Sequence, residues 1–290
     1  GTQITFWVNG GNAVDFNGVC CKLPSTGTLK LKGTGFWTFT SSNSSLASAI
    51  GMAANAGDWG TLEVDGPAIT TMGSDRAPGV GGSYGYQGRG SGGGVVIVRS
   101  GSLTAYGYGG AAGIGGGSVY RAACGSGPQV TVYTNGTLYA YNMAGNRGGP
   151  NKLDGCGVAI GSGRPLLDSA SSYAASNAGT IVVDGGTVYA SAGNGGVSCF
   201  GCPLNNSNSA FTQNPNATGS LTVKNRGKVF FRHSTFPDKY AVTINNGTLG
   251  TMSDSPAETW VTFNGLATVT NALTIAGPVA PVWETLPSFR

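Results

Sequence analysis

Six cysteines carry the most definite chemistry in this 290-residue sequence: Cys20, Cys21, Cys124, Cys156, Cys199 and Cys202. An even number, in a chain rich in Gly, Ser, Thr and Asn, reads as disulfides formed in an oxidising compartment. Many connectivities are compatible with six cysteines, and spacing does not choose among them. Cys124 and Cys156 lie near glycine clusters of adjacent repeats and make the best single pair. Cys20 and Cys21 are neighbours, so a bridge between them is strained; Cys199 and Cys202 are their expected partners, within the chain or between chains. Cys199-Phe-Gly-Cys202 is also a C-x-x-C. Zinc would need further ligands, but there is no second C-x-x-C and His233 is the only histidine.

Acid–base chemistry is thinly provided. Of 12 acidic residues, the closest in sequence are Glu63 and Asp65. On a strand both would point to one face, and a glycosidase needs two carboxylates about 5–9.5 Å apart. The competing reading is a solvated strand face. GGSYG at 81–85 matches G-x-S-x-G without the strand–turn–helix context of a nucleophile elbow. The G-x-G-x-x-G strings lack the βαβ setting that phosphate binding requires. No catalytic residue, metal or cofactor is assigned. Two other residue sets could carry function. Asn43, Asn135, Asn205, Asn216 and Asn246 each stand two positions before Ser or Thr, as N-glycosylation requires, although so polar a chain produces such triplets by chance. Tyr106, Tyr108, Tyr139, Tyr141 and Tyr189, if aligned on a flat face, could stack on sugar rings; packing between neighbouring strands is the alternative.

Hydrophobic residues make up 40% of the chain, enough for a buried core, while charged residues make up only 10%. The 52 glycines follow no Gly-X-Y period, which excludes collagen. The net charge of +4 is scattered, so a nucleic-acid surface is not supported, while weak attraction to acidic glycans is compatible with it. No apolar stretch reaches membrane-span length. The start at Gly1 is expected to reflect processing of a secreted precursor.

The elements that must position these residues emerge from internal repeats. VVIVRSGSLTA at 95–105, VTVYTNGTLYA at 130–140 and TIVVDGGTVYA at 180–190 share a β-branched run, a Gly, a second short run and a closing Ala. Their glycines are Gly101, Gly136 and Gly186; Leu103, Leu138 and Val188 follow two positions later, and Ile97, Val132 and Val182 precede by four. Fainter copies centre on Gly33, Gly66, Gly227 and Gly247. A second element follows the stronger copies and places Val80, Ile114, Ile160 and Val197 inside glycine clusters. One copy cannot bury its apolar face, whereas stacked copies bury a continuous core. The expected fold is therefore all-β, a parallel β-solenoid with Gly-rich corners; the alternative is an antiparallel β-sandwich closed by its Asn-Gly pairs. Residues 44–55 are the best helix candidate. Residues 1–58 read as N-terminal strands and a degenerate first repeat, 59–250 as solenoid repeats, and 251–290 as further strands and a Pro-rich extended tail.

The string VVIVRSGSLTAYGYGGAAGIGGG, beginning at Val95, resembles the repeats of glycine-rich bacterial surface proteins, in which a "GGTVTATGG…GAGIGGG" unit recurs. The resemblance spans roughly residues 60–200, is strongest at 94–117 and excludes the cysteines. It implies a β-helical fold at a cell surface or wall and, for some members, carbohydrate binding; it implies no chemistry. The resulting expectation is a secreted, extracellular structural protein that assembles with itself, with Phe6, Trp7, Trp283 and Phe289 as assembly candidates. The alternatives are a carbohydrate-binding adhesin, with cell-surface polysaccharide as partner, and a polysaccharide-degrading enzyme.

Overall fold

A computed structural model describes residues 1–42, 46–53, 56–86, 92–120, 125–143, 157–163, 177–192, 199–205, 211–213, 217–232, 239–252, 267–269 and 273–279. Among these residues there is no helix, and the strands pair almost entirely in parallel. The one antiparallel ladder joins Pro203–Asn205 to Phe211–Gln213. Parallel pairing rules out the antiparallel sandwich.

Each repeat contributes strands to the same places. A first row of nine strands, in sequence order, runs from Gln3–Val8 through Thr28–Gly33 to Ala267–Val269. A second row begins with Gly11–Phe16 and Phe36–Ser41 and ends with Leu273–Val279. In the middle copies Thr61–Met72, Val95–Tyr108 and Gln129–Met143 serve both rows as single long strands. A six-stranded small sheet stacks Cys21–Lys22, Ile50–Gly51, Val80–Gly81, Ile114–Gly115, Ile160–Gly161 and Phe200–Gly201 in parallel.

Alternation explains which residues enter the core. In Gln129–Met143, Val130, Val132, Leu138 and Ala140 are buried, while Gln129 and Tyr133 are exposed. Because neighbouring copies pair in parallel register, like residues stack: Leu103 on Leu138 on Val188, all buried. Each such side chain contributes roughly 1.5–3 kcal/mol on burial.

The glycine alignment read from the sequence matches the register. Gly101 pairs with Gly136, and the pairs Thr137–Thr187, Thr187–Lys228 and Lys228–Thr248 bring Gly136, Gly186, Gly227 and Gly247 into one column. Three details differ. Val132 pairs with Val98 and Val183 rather than with Ile97 and Val182. The register shifts between Val98 and Ser100, so counting back from the glycine fails there. The fourth partner in the small-sheet column is Phe200, whereas Val197 lies outside the described residues. Within the helix candidate 44–55, residues 46–53 are not helical, and Ile50–Gly51 is a strand in register with Val80–Gly81. Ladder pairing overrides the helix propensity of the Ala- and Ser-rich run.

The small sheet depends on a glycine column. Gly51, Gly81, Gly115, Gly161 and Gly201 have φ of +143°, +140°, +132°, +154° and +146°. A Cβ on any of the first four would overlap the carbonyl oxygen of the next glycine in the column. Only Gly satisfies both the conformation and the close approach.

Candidate functional site

Glu63 and Asp65 do share the outward face of their strand, but cations from neighbouring copies meet them there. Glu63 is 6% exposed, with Lys30 Nζ 3.4 Å from Oε2 on one side and Arg99 Nε 2.8 Å from Oε1 on the other. Asp65 takes Lys32 Nζ at 3.2 Å and the Ser100 hydroxyl at 2.9 Å. Arg99 also lies over the Tyr133 ring, 5.2 Å from its centroid. Parallel register puts Lys30 beside Glu63 and Lys32 beside Asp65, so the row ties three copies together. Asp184 repeats the pattern with Lys224 at 3.1 Å and the Asn225 amide at 2.6 Å.

The Ser100 hydrogen bond, followed by Lys32, holds the Asp65 carboxyl below its ordinary range. A lowered folded value stabilises the protein above the unfolded value of about 3.9, and that gain is lost as pH falls through the folded value. Asp65 is half-buried at the surface, where solvent screening limits the gain to roughly a few tenths of a kcal/mol. Asp65→Asn is expected to flatten the acid limb of the stability curve slightly, as read by urea titrations between pH 3 and 7.

Ser83, the centre of GGSYG, is buried. Its hydroxyl donates to the Met52 carbonyl and lies 3.4 Å from Ser48 Oγ, while Ser48 N–H donates to Ser83 Oγ at 2.9 Å. Those partners make it a tie between adjacent copies.

The expected intrachain pairing of Cys20 and Cys21 with Cys199 and Cys202 is overturned. Cys21 pairs with Ile50 at one end of the small sheet, and Cys199 precedes Phe200 at the other. Five interstrand steps of about 4.8 Å separate the ends, roughly 24 Å against the 4–7 Å between Cα atoms that a disulfide spans. None of these four cysteines is in a disulfide. Cys124 and Cys156 lie outside the described residues. The described residues hold no cluster of three or more metal-ligating side chains.

The single Cys199 S–H has two carbonyl acceptors within reach, Ala190 at 3.3 Å and Arg232, and burial pushes its pKa up to about 12. Cys20 donates to the Thr40 carbonyl at 3.1 Å; burial, then Cys21 and Asp15, push it up to about 11. Since the thiolate is the nucleophile, Cys199 is expected to resist iodoacetamide at pH 8 in the folded protein and to react promptly in denaturant. Peptide mass spectrometry of labelled protein reads the difference.

The tyrosines do form a ladder, with its ring faces turned to one another. Tyr139 stacks on Tyr189 at 5.0 Å and 7°, Tyr189 on Phe230 at 5.2 Å, and Tyr106 on Tyr141 at 5.3 Å. Tyr106, Tyr108 and Tyr141 are buried, so the expectation of open faces for sugar fails at these three; Tyr139 and Tyr189 are half-buried. The cause is the interstrand spacing of about 4.8 Å, close to ring-stacking distance. Phe230 was missed, although its place three residues after Gly227 matches Tyr139 after Gly136 and Tyr189 after Gly186.

Asn135 and Asn246 are exposed beside the glycine column, and Asn205 ends the strand Pro203–Asn205; Asn43 and Asn216 lie outside the described residues. Phe6 and Trp7 are exposed, at 43% and 68%. Ile4, Phe16 and Phe36, not singled out from the sequence, are exposed with them. Ile4 and Phe6 pair with the buried Leu29 and Leu31 and so stand in core columns that stop at the first copy. Trp283, Phe289 and His233 lie outside the described residues. No helix among the described residues is long and apolar enough to cross a membrane. Comparison of the chain with protein-family models, with curated proteins and with solved structures finds no match.

Proposed function

We propose that the stacked copies are turns of a parallel β-solenoid and that the protein is a secreted, extracellular structural element that joins end to end into a fibre or layer. The observation that carries this reading is the continuous parallel pairing of nine strands in sequence order, one from each successive copy. Such a stack is a stiff rod of repeated rungs, suited to a mechanical role. The glycine-rich surface-protein resemblance and the exposed sequons favour the extracellular setting.

End-to-end joining is supported by the first copy. Five of the six large hydrophobic residues exposed among the described residues, Ile4, Phe6, Trp7, Phe16 and Phe36, belong to the first two copies. They border Gln3–Val8 and Gly11–Phe16, which among the described residues pair on one side only. An exposed apolar edge is a template for another parallel strand, and a head-to-tail contact that does not close gives a filament. Sedimentation and electron microscopy of the 290-residue chain are expected to show linear oligomers. Phe6→Lys, which places a charge in the joint, is expected to leave monomers with unchanged circular dichroism. Monomers of the unaltered chain at all accessible concentrations would remove the assembly half of the proposal.

Neither alternative gains a specific observation. The ladder tyrosines spend their ring faces on one another, and Glu63 and Asp65 are held by cations.

A further inference from the structure

We propose that Tyr139 and Tyr189 are a site of oxidative cross-linking, where a dityrosine bond forms a covalent staple between successive copies. The two residues are partners in the parallel ladder. Their ring centroids are 5.0 Å apart and the planes differ by 7°, so the two phenol rings lie stacked side by side in adjacent strands. The backbone register enforces this approach of the two phenols.

The chemistry needs a one-electron oxidant, such as a peroxidase intermediate or a photogenerated metal complex. Each phenol gives one electron to the oxidant and its hydroxyl proton to water, leaving a tyrosyl radical whose spin is shared between oxygen and the ortho carbons. Two such radicals join through one ortho carbon each. The hydrogens on the newly bonded carbons then move to the phenoxyl oxygens and restore both phenols. Overall, two electrons reach the oxidant, two protons reach solvent, and one C–C bond replaces two ring C–H bonds.

The surroundings choose this pair. Tyr106 and Tyr141 are also partners and stack at 5.3 Å, but they are only 4% and 3% exposed, so a departing proton has a poor route to water. Tyr139 and Tyr189 are half-buried and can release theirs. Tyr141 lies 6.5 Å from Tyr139, so a radical formed in the buried pair has a stacked neighbour toward the accessible one. Phe230, 5.2 Å beyond Tyr189, has no hydroxyl and ends the run. The bond would close a loop of about 50 residues, restricting the unfolded chain as a disulfide does. The inference rests on the strand register and is independent of end-to-end assembly.

The test is to oxidise the dilute full-length chain with photogenerated ruthenium(III) tris-bipyridyl and map the linked peptides by mass spectrometry. The expected result is dityrosine fluorescence in the monomer band and a peptide pair joining Tyr139 to Tyr189, lighter than the sum of its parts by two hydrogens. Tyr189→Phe, which repeats the Phe found at position 230 of the same column, should fold normally and lose this link. Tyr139→Phe should do the same, while Tyr133→Phe, at an exposed tyrosine outside the ladder, should keep it. Absence of the link in the folded chain, an equal yield in urea-unfolded chain, or links confined to Tyr133 of separate molecules would each overturn the proposal.

Discussion

Gly115→Ala is expected to destabilise the protein by about 3–5 kcal/mol, an unusually large loss for adding one methyl group. Two costs combine. Gly115 has φ of +132°, a conformation that L side chains rarely adopt and that costs about 1–3 kcal/mol to impose. The new Cβ would also overlap the Gly161 carbonyl oxygen and approach Pro128 Cδ. Backbone cannot rotate aside as a flexible side chain can, so the small sheet must open locally, with a strain of about 1–3 kcal/mol typical of overpacking. Stacked copies contact mainly their neighbours, so the damage should be local at first. Hydrogen exchange should accelerate most at Ile114, Gly116 and Ser162, which donate hydrogen bonds to Ala159, Gly161 and Gly201. Alanine at Gly57, where a Cβ meets nothing and φ is not positive, provides the control and should cost little.

Phe231→Ala is the second large effect, expected at about 3–5 kcal/mol. Phe231 is buried and meets the buried Phe200 edge-on, with centroids 6.0 Å apart at 72°. Its column reads Ala105, Ala140 and Ala190 in preceding copies. Those small residues belong to copies that include a small-sheet strand, and Phe200–Gly201 is the last such strand in the ladder. At Phe231 a large ring therefore fills core space where the small sheet ends. Truncation leaves a cavity beside Phe200 and Ala190. Phe231→Leu should recover much of the loss, and urea titration followed by tryptophan fluorescence compares the two variants.

Much of this architecture could be read before any coordinates because parallel stacking turns three-dimensional neighbours into sequence repeats. Gly101, Gly136 and Gly186 identified each other as column partners through their flanking Leu103, Leu138 and Val188. The reading slipped where the chain departs from a fixed count. The register shift at Val98 and Ser100 misaligned Ile97 with Val132. A two-residue strand such as Ile50–Gly51 is too short for periodicity to reveal, and its Ala-rich flanks resembled a helix. The candidate site was harder still. Glu63 and Asp65 were found as a same-face pair, but their counter-ions Lys30, Lys32 and Arg99 are 30 or more residues distant and appear only once register is known. The distance between Cys20 and Cys21 at one end of the small sheet and Cys199 and Cys202 at the other was hidden for the same reason, since spacing along the chain says little about distance along a stack. Tyr139 and Tyr189 were correctly aligned, yet alignment at an interstrand spacing closes their ring faces instead of displaying them.

The central claim, that successive copies stack along one axis, is tested most directly by distances along a single column. Lys30, Glu63, Ile97, Thr131, Val182, Thr222 and Thr243 are consecutive partners on the outward face. Spin labels at Lys30 and, in separate samples, at Thr131, Thr222 and Thr243 should give separations of about 14, 24 and 29 Å, rising by about 4.8 Å for each copy crossed. A series that fails to increase in this order, or that places Thr243 nearer Lys30 than Thr131, would contradict the stacked arrangement.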